Sequence, residues 1–209
     1  REFFGSELAQ KLATEEKSAD LIIGNNVYAH VPDINDFTKG LKTILKLDGV
    51  VTLEFPHLMR LIEHTQFDTA YHEHFSYLSL TAVSSIFSSQ GLRIWDVEEL
   101  ETHGGSLRVY GCHEDNARVN SVRVGQILEQ ESKNGLTDIT IYREFQTRAE
   151  SVKNTLISFL IEQRKRGKSV AAYGAAAKGN TILNYAGIRP DLLPYVCDAA
   201  PSKQGKYMP

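Results

Sequence analysis

Apolar residues along the chain fall either into short unbroken runs or into stripes at helical spacing, and the two alternate. Ala19–Asn25 (ADLIIGN) is a short apolar run of the kind that suits a buried parallel strand. Pro32 and Asp33 then punctuate, and Phe37, Leu41, Ile44 and Leu45 recur at helical spacing. Leu47–Gly49 predicts a turn into a second strand, Val50–Glu54, which completes a βαβ unit with a right-handed crossover. Upstream, Glu2–Phe4 predicts a further strand and Glu7–Thr14 its helix. Beyond Pro56 the pattern predicts a short helix over Leu58–His64, a polar-aromatic segment Phe67–Ser79, and an amphipathic helix Leu80–Gln90 closed by Gly91. Ile94–Val97 and Ser106–Tyr110 alternate as paired strands do, with His103-Gly104-Gly105 between them. Arg118–Lys133 and Thr140–Arg166 read as helices separated by Asn134-Gly135. After Gly167 a second unit starts: strand Ser169–Tyr173, turn Gly174–Lys178, helix Gly179–Tyr185 and strand Asp191–Asp198.

Composition narrows the class without identifying it. The chain has 209 residues, enough for one large α/β domain or two small ones. A net charge of −3 lacks the basic excess of a nucleic-acid binder. Cys112 and Cys197 form neither a disulfide framework nor a metal-ligand pair, and with buried reduced thiols as the default expectation a cytoplasmic compartment fits best. No apolar run approaches the roughly 20 residues of a membrane span, and no signal peptide is visible. Starting at Arg1 rather than Met, the chain reads as a piece of a longer protein.

Four segments carry candidate chemistry. Asn25-Asn26-Val27-Tyr28-Ala29-His30 follows a predicted parallel strand, where ligands of open α/β sheets bind; the two asparagines equally suit a capped turn. Tyr71-His72-Glu73-His74 gathers four polar or ionisable groups among aromatic neighbours. A histidine there can take and return a proton near neutrality, a glutamate can steady the imidazolium, and a tyrosine can donate to a developing oxyanion. Structural and metal-binding readings of this run also stand, although no third metal ligand lies nearby in sequence. His103-Gly104-Gly105-Ser106-Leu107-Arg108 offers backbone freedom and a guanidinium for a phosphate, or a plain hairpin turn. Tyr173–Asn180 (YGAAAKGN) runs small residues into a helix start, exposing backbone N–H groups to an anion with Lys178 alongside. It matches neither G-x-G-x-x-G nor the P-loop, which speaks against the alternative of an NAD(P)-dependent oxidoreductase.

Together the segments NNVYAHVPD (Asn25–Asp33), LEFPHL (Leu53–Leu58), FDTAYHEHFSYLSL (Phe67–Leu80), HGGSLRVY (His103–Tyr110) and YGAAAKGNTILNY (Tyr173–Tyr185) resemble the S-adenosylmethionine (SAM)-dependent sugar C-methyltransferases. These act on deoxythymidine-diphosphate-linked keto-sugars, and the match spans nearly the whole chain. The resemblance implies an α/β fold: a partial Rossmann-like SAM methyltransferase domain over 1–112, then a helical linker and a second, incomplete Rossmann-like C-terminal domain over 113–209 that holds the nucleotide-sugar. It implies His74 as the base, with Tyr71, Glu73 and His30 as active-site companions, while His72 inherits no role. Asn25 and Asn26 fall on the cofactor side. Substrate contacts fall on His103, Arg108, Tyr173, Gly174, Lys178 and Asn180, with Asp198, Lys203 and Gln204 as weaker candidates.

The implied reaction is removal of an acidified proton beside the sugar carbonyl, followed by methylation of the resulting enolate carbon. Zinc is implied only in a small N-terminal domain whose cysteine motif this chain does not contain. The glycine-rich loop that wraps SAM in the family is also outside the sequence, so the chain alone is expected to bind SAM poorly. The alternative to an enzyme is a nucleotide-sugar binding module without activity of its own. The expected partners are the nucleotide-diphosphate sugar and neither nucleic acid nor membrane.

Overall fold

In the computed structural model, which describes residues 2–208, the chain is α/β and divides into two units. One runs to His64 and resumes over Glu73–Asp138; the other comprises Thr65–His72 and the chain from Ile139 onward.

The first unit is built on a four-stranded mixed sheet. After helix α1 (Ser6–Thr14) come strand β1 (Ala19–Asn25), helix α2 (Ile34–Ile44) and strand β2 (Leu45–Pro56). Asp33 starts α2 as the punctuation predicts, its carboxylate accepting the Asp36 N–H at 2.9 Å. Helices α3 (Leu58–Glu63) and α4 (Leu80–Ser89) precede strands β3 (Leu92–Leu100) and β4 (Ser106–His113), and helix α5 (Val122–Lys133) closes the unit. The sheet order is β1-β2-β4-β3, with β1 parallel to β2 and the other two pairs antiparallel. Tyr28, Leu41, Val51, Leu53, Phe55, Leu80, Phe87, Leu92 and Leu107 form the core against the sheet.

Several local expectations are corrected. Glu2–Phe4 forms no strand; Phe4 instead sets its ring edge-on to Phe37, centroids 5.3 Å apart. Leu47–Gly49 lies inside β2 as an irregular stretch where the β1 pairing skips from Leu45 to Val50. β1 is parallel and, among the described residues, pairs with β2 on one side, with Leu21 and Ile23 55% and 63% exposed. The helix expected from Arg118 starts at Val122, because Ser121 caps it and Arg118 is turned back to donate to the Asp48 carbonyl. This helix packs on β3 through Ile127 and so belongs with the first unit.

The second unit holds the long helix α6 (Ile139–Lys165), strand β5 (Ala172–Tyr173), helix α7 (Ala177–Ala186) and strand β6 (Val196–Cys197). β5 and β6 are parallel, so this too is a βαβ unit, with strands far shorter than expected. Pro190 and Pro194 interrupt the run leading to β6, and proline cannot donate to a ladder. The Phe67–Thr69 turn joins this unit by setting Phe67 5.1 Å from the Tyr185 ring. Among the described residues no helix is long and apolar enough to cross a membrane.

Candidate active site

The carboxyl end of β1 and the turn after it sort their residues by burial. Asn25 and Asn26 are exposed, Tyr28 and Ala29 are buried, and His30 is half-buried. Tyr28 is anchored in the core: the Thr38 hydroxyl donates to Ile34 O at 2.6 Å, so Tyr28 donates to Thr38 at 2.7 Å. Burial pushes its phenol well above the usual range, the opposite of what a proton donor needs.

Onto this turn docks the segment after Tyr71. The N–H groups of Phe75 and Ser76 both donate to Ala29 O, at 2.9 and 3.2 Å. His30 Nδ1 lies 2.7 Å from Glu73 O. A carbonyl only accepts, so His30 carries a proton on Nδ1 and turns Nε2 elsewhere. These three bonds bring the His30 and His74 rings to a centroid separation of 4.7 Å at 55°, with Tyr77 edge-on to His74 at 6.0 Å. His30, Glu73 and His74 are therefore gathered in the first unit. Tyr71, half-buried, and the exposed His72 fall in the second.

A second constellation sits at the carboxyl ends of β1 and β2. His103 Nε2 is 3.0 Å from the Asn26 side-chain nitrogen. Beneath them, Glu54 is buried and accepts from the Thr102 hydroxyl at 3.1 Å and from Arg108 at 2.8 Å. Register explains the ion pair: Arg108 on β4 faces Glu54 across β2 and Glu98 across β3. Arg108, read from sequence as a phosphate ligand, is thus engaged by two carboxylates, with Glu98 at 3.7 Å. The Glu54 bond first, then Tyr110, holds its guanidinium all the more firmly protonated.

In the second unit Tyr173, Gly174, Lys178 and Asn180 share the passage from β5 into α7. Gly174 takes φ +100°, a conformation side chains resist, and its N–H donates to Cys197 O at 2.7 Å. A cavity of about 1040 Å³ opens beside this loop, lined by Asn180, Asn184, Arg189, Lys203, Gln204 and Tyr207 among others. Lys178 is not among its lining residues. Asp198 braces the loop: it accepts the Ala175 and Ala200 N–H groups, both at 2.8 Å, with Lys203 at 3.3 Å. The Ala200 and Ala175 bonds hold its carboxyl below the usual aspartate range. Gln204 donates to Asp198 O at 2.9 Å, so Asp198, Lys203 and Gln204 form one clasp.

Glu54, Thr102, His57 and Glu131 escaped the sequence reading. A lone glutamate inside the apolar run VVTLEF was the available signal for the first; nothing local marks the others. Among the described residues no group of three His, Cys, Asp or Glu side chains is placed to hold a metal ion.

Residues 101–209 match the family described as the C-methyltransferase C-terminal domain. The chain belongs to the C-methyltransferase family. Residues 2–97 match a methyltransferase domain family. A curated relative, "C-methyltransferase NovU" of Streptomyces niveus, is 36% identical over 208 residues, covering 99% of this chain and 49% of that protein. The chain therefore spans about half the length of this C-methyltransferase. Two solved structures overlap it more loosely. A SAM-dependent methyltransferase from Anabaena variabilis ATCC 29413 shows 12% identity and a TM-score of 0.41, covering 53% of this chain and 55% of that one. Magnesium protoporphyrin IX methyltransferase from Synechocystis PCC 6803, with bound SAH, shows 14% and 0.36, covering 46% and 45%. Overlaps this partial carry no functional weight.

Proposed function

We propose that the whole protein transfers a methyl group from SAM to a carbon of a nucleotide-linked keto-sugar, with His74 as the base. The observation that carries this reading is the His30–His74 pair, held at 4.7 Å by backbone bonds from both segments. A carbon beside a carbonyl becomes nucleophilic only on losing a proton, and an imidazole is the side chain whose affinity suits that task near neutrality.

In this scheme His74 takes the proton from the sugar carbon and keeps it while the carbon is methylated. His30 can steady the enolate oxygen only through Nε2, because Nδ1 is committed to Glu73 O. The exposed Glu73 carboxylate offsets the charge His74 gains. Asn25 and Asn26, polar and exposed at the carboxyl end of β1, fit the hydroxyl-rich and amine-bearing edges of SAM. When bound, SAM supplies a methyl group on a sulfonium, the electrophile that an enolate carbon requires. Tyr173, Gly174, Lys178 and Asn180 hold the nucleotide end: small residues admit a phosphate to the N-terminus of α7, and Lys178 adds a point charge.

The test uses the full-length protein. His74→Asn should lower methyl transfer from labelled SAM by at least about 10²-fold while nucleotide-sugar affinity stays within about twofold. The same variant should lose exchange of the sugar's proton into heavy water when SAM is withheld. Wild-type turnover in His74→Asn would remove the residue from the reaction.

A further inference from the structure

Two residues other than glycine hold left-handed backbones where β1 and β2 end: Asn26 at φ +53° and His103 at φ +55°. Asn and His enter this region more readily than most side chains, and here their two side chains are bonded to one another. An amide nitrogen only donates, so His103 Nε2 accepts, and the ring carries its proton on Nδ1.

The surroundings are a set of bonds around the 102–105 turn. Thr102 donates its hydroxyl to Glu54, whose side chain is 7% exposed, and Ser106 donates its own to Thr102 O at 2.9 Å. The His57 N–H donates to Gly105 O at 3.0 Å. Gly105 itself lies against Arg60, where a Cβ would come within 2.7 Å of Cγ. The turn therefore has little freedom to shift, and Glu54 is the buried charge at its root.

We propose that Glu54 is a positioning residue: through Thr102 it fixes this turn so that His103, clasped by Asn26, presents a neutral Nδ1–H donor to an uncharged ligand oxygen. A phosphate is disfavoured here. Both guanidiniums against the turn are already spent, Arg108 on Glu54 and Glu98 and Arg60 on Glu63 and Glu99. Four carboxylates on two guanidiniums leave surplus negative charge, which a sugar hydroxyl or carbonyl tolerates and a phosphate does not. Only the identity of that ligand as a sugar rests on the methyl-transfer reading.

Thr102→Val cuts the link to Glu54 at nearly constant volume, and Thr102→Ser keeps it. In ¹⁵N-histidine-labelled full-length protein, with His103 assigned by its loss in His103→Gln, wild type and Thr102→Ser should show the Nδ1–H form. Thr102→Val and Glu54→Leu should move His103 toward the Nε2–H form that free imidazole prefers. In turnover, Thr102→Val should raise KM for the keto-sugar about tenfold with kcat changed less than about twofold, and Thr102→Ser should restore it. An Nε2–H ring in wild type, one His103 signal unchanged across all variants, or equal KM values for the valine and serine variants would each overturn the proposal. A wild-type enzyme that transfers no methyl group would sink the functional reading alone, since the histidine spectra decide the role of Glu54 without turnover.

Discussion

Glu131 is fully buried near the end of α5 and makes four hydrogen bonds. Its carboxylate accepts the Leu80 N–H at 2.6 Å, the Thr81 N–H at 2.8 Å, the Thr81 hydroxyl at 2.6 Å and His57 Nε2 at 2.7 Å. It thereby caps α4 from a distant helix and ties down the chain just beyond His74. Burial opposes its ionisation most strongly, but His57, Thr81 and the two N–H groups outweigh that, leaving its pKa below the ordinary 4.5. The sign follows: a carboxyl whose folded pKa is depressed contributes stability above its unfolded value and loses it as pH falls through the folded one. Glu131→Gln should therefore cost about 3 kcal/mol at pH 7, and the gap from wild type in thermal unfolding should narrow below about pH 4. A gap independent of pH would mean that the charge does not matter. None of this is legible in the local sequence, where Glu131 sits in a polar helical stretch (EQES) and its partners are 50 to 74 residues away. His74, by contrast, stood out as part of an ionisable run among aromatics, whereas His30 was marked only by the family resemblance.

Elements were legible where a stop signal and a period agreed. Asp33 and Ser79 cap α2 and α4 through Asp36 and Ala82, and Gly91 follows α4 at φ +72°. Strand extent was less legible, because ladder partners set it: β2 runs on through Leu47–Gly49, and β5 and β6 shrink to two residues each. The 102–105 turn shows what register adds. Sequence offers Gly104-Gly105 as a hairpin; pairing places Arg108 between two glutamates and Gly105 over Arg60. Gly105 at φ +113° admits no side chain, and Arg60 Cβ and Cγ lie where one would go. Gly105→Ala should lower stability by about 2 kcal/mol or more, read as a lower Tm. Gly135→Ala, with φ +76° but nothing within 4 Å, should cost less, and equal losses would show that backbone strain alone decides.

At the scale of the whole molecule the proposed function gives the two units different tasks, and kinetics can separate them. The first holds the imidazole pair and the Asn26–His103 turn; the second holds Lys178, Asn180 and the cavity braced by Asp198. Binding energy from a part of the substrate that does not react lowers KM, whereas a proton acceptor acts only as the transition state forms. Lys178→Ala in the full-length enzyme should therefore raise KM for the nucleotide-sugar several-fold with kcat little changed. Its penalty should shrink as ionic strength rises, because a point charge facing a diphosphate is screened. His74→Asn should do the reverse, lowering kcat with KM nearly constant. If Lys178→Ala instead lowers kcat alone, with the same loss at low and high salt, its ammonium does not meet the diphosphate and the β5–α7 loop is not the nucleotide anchor.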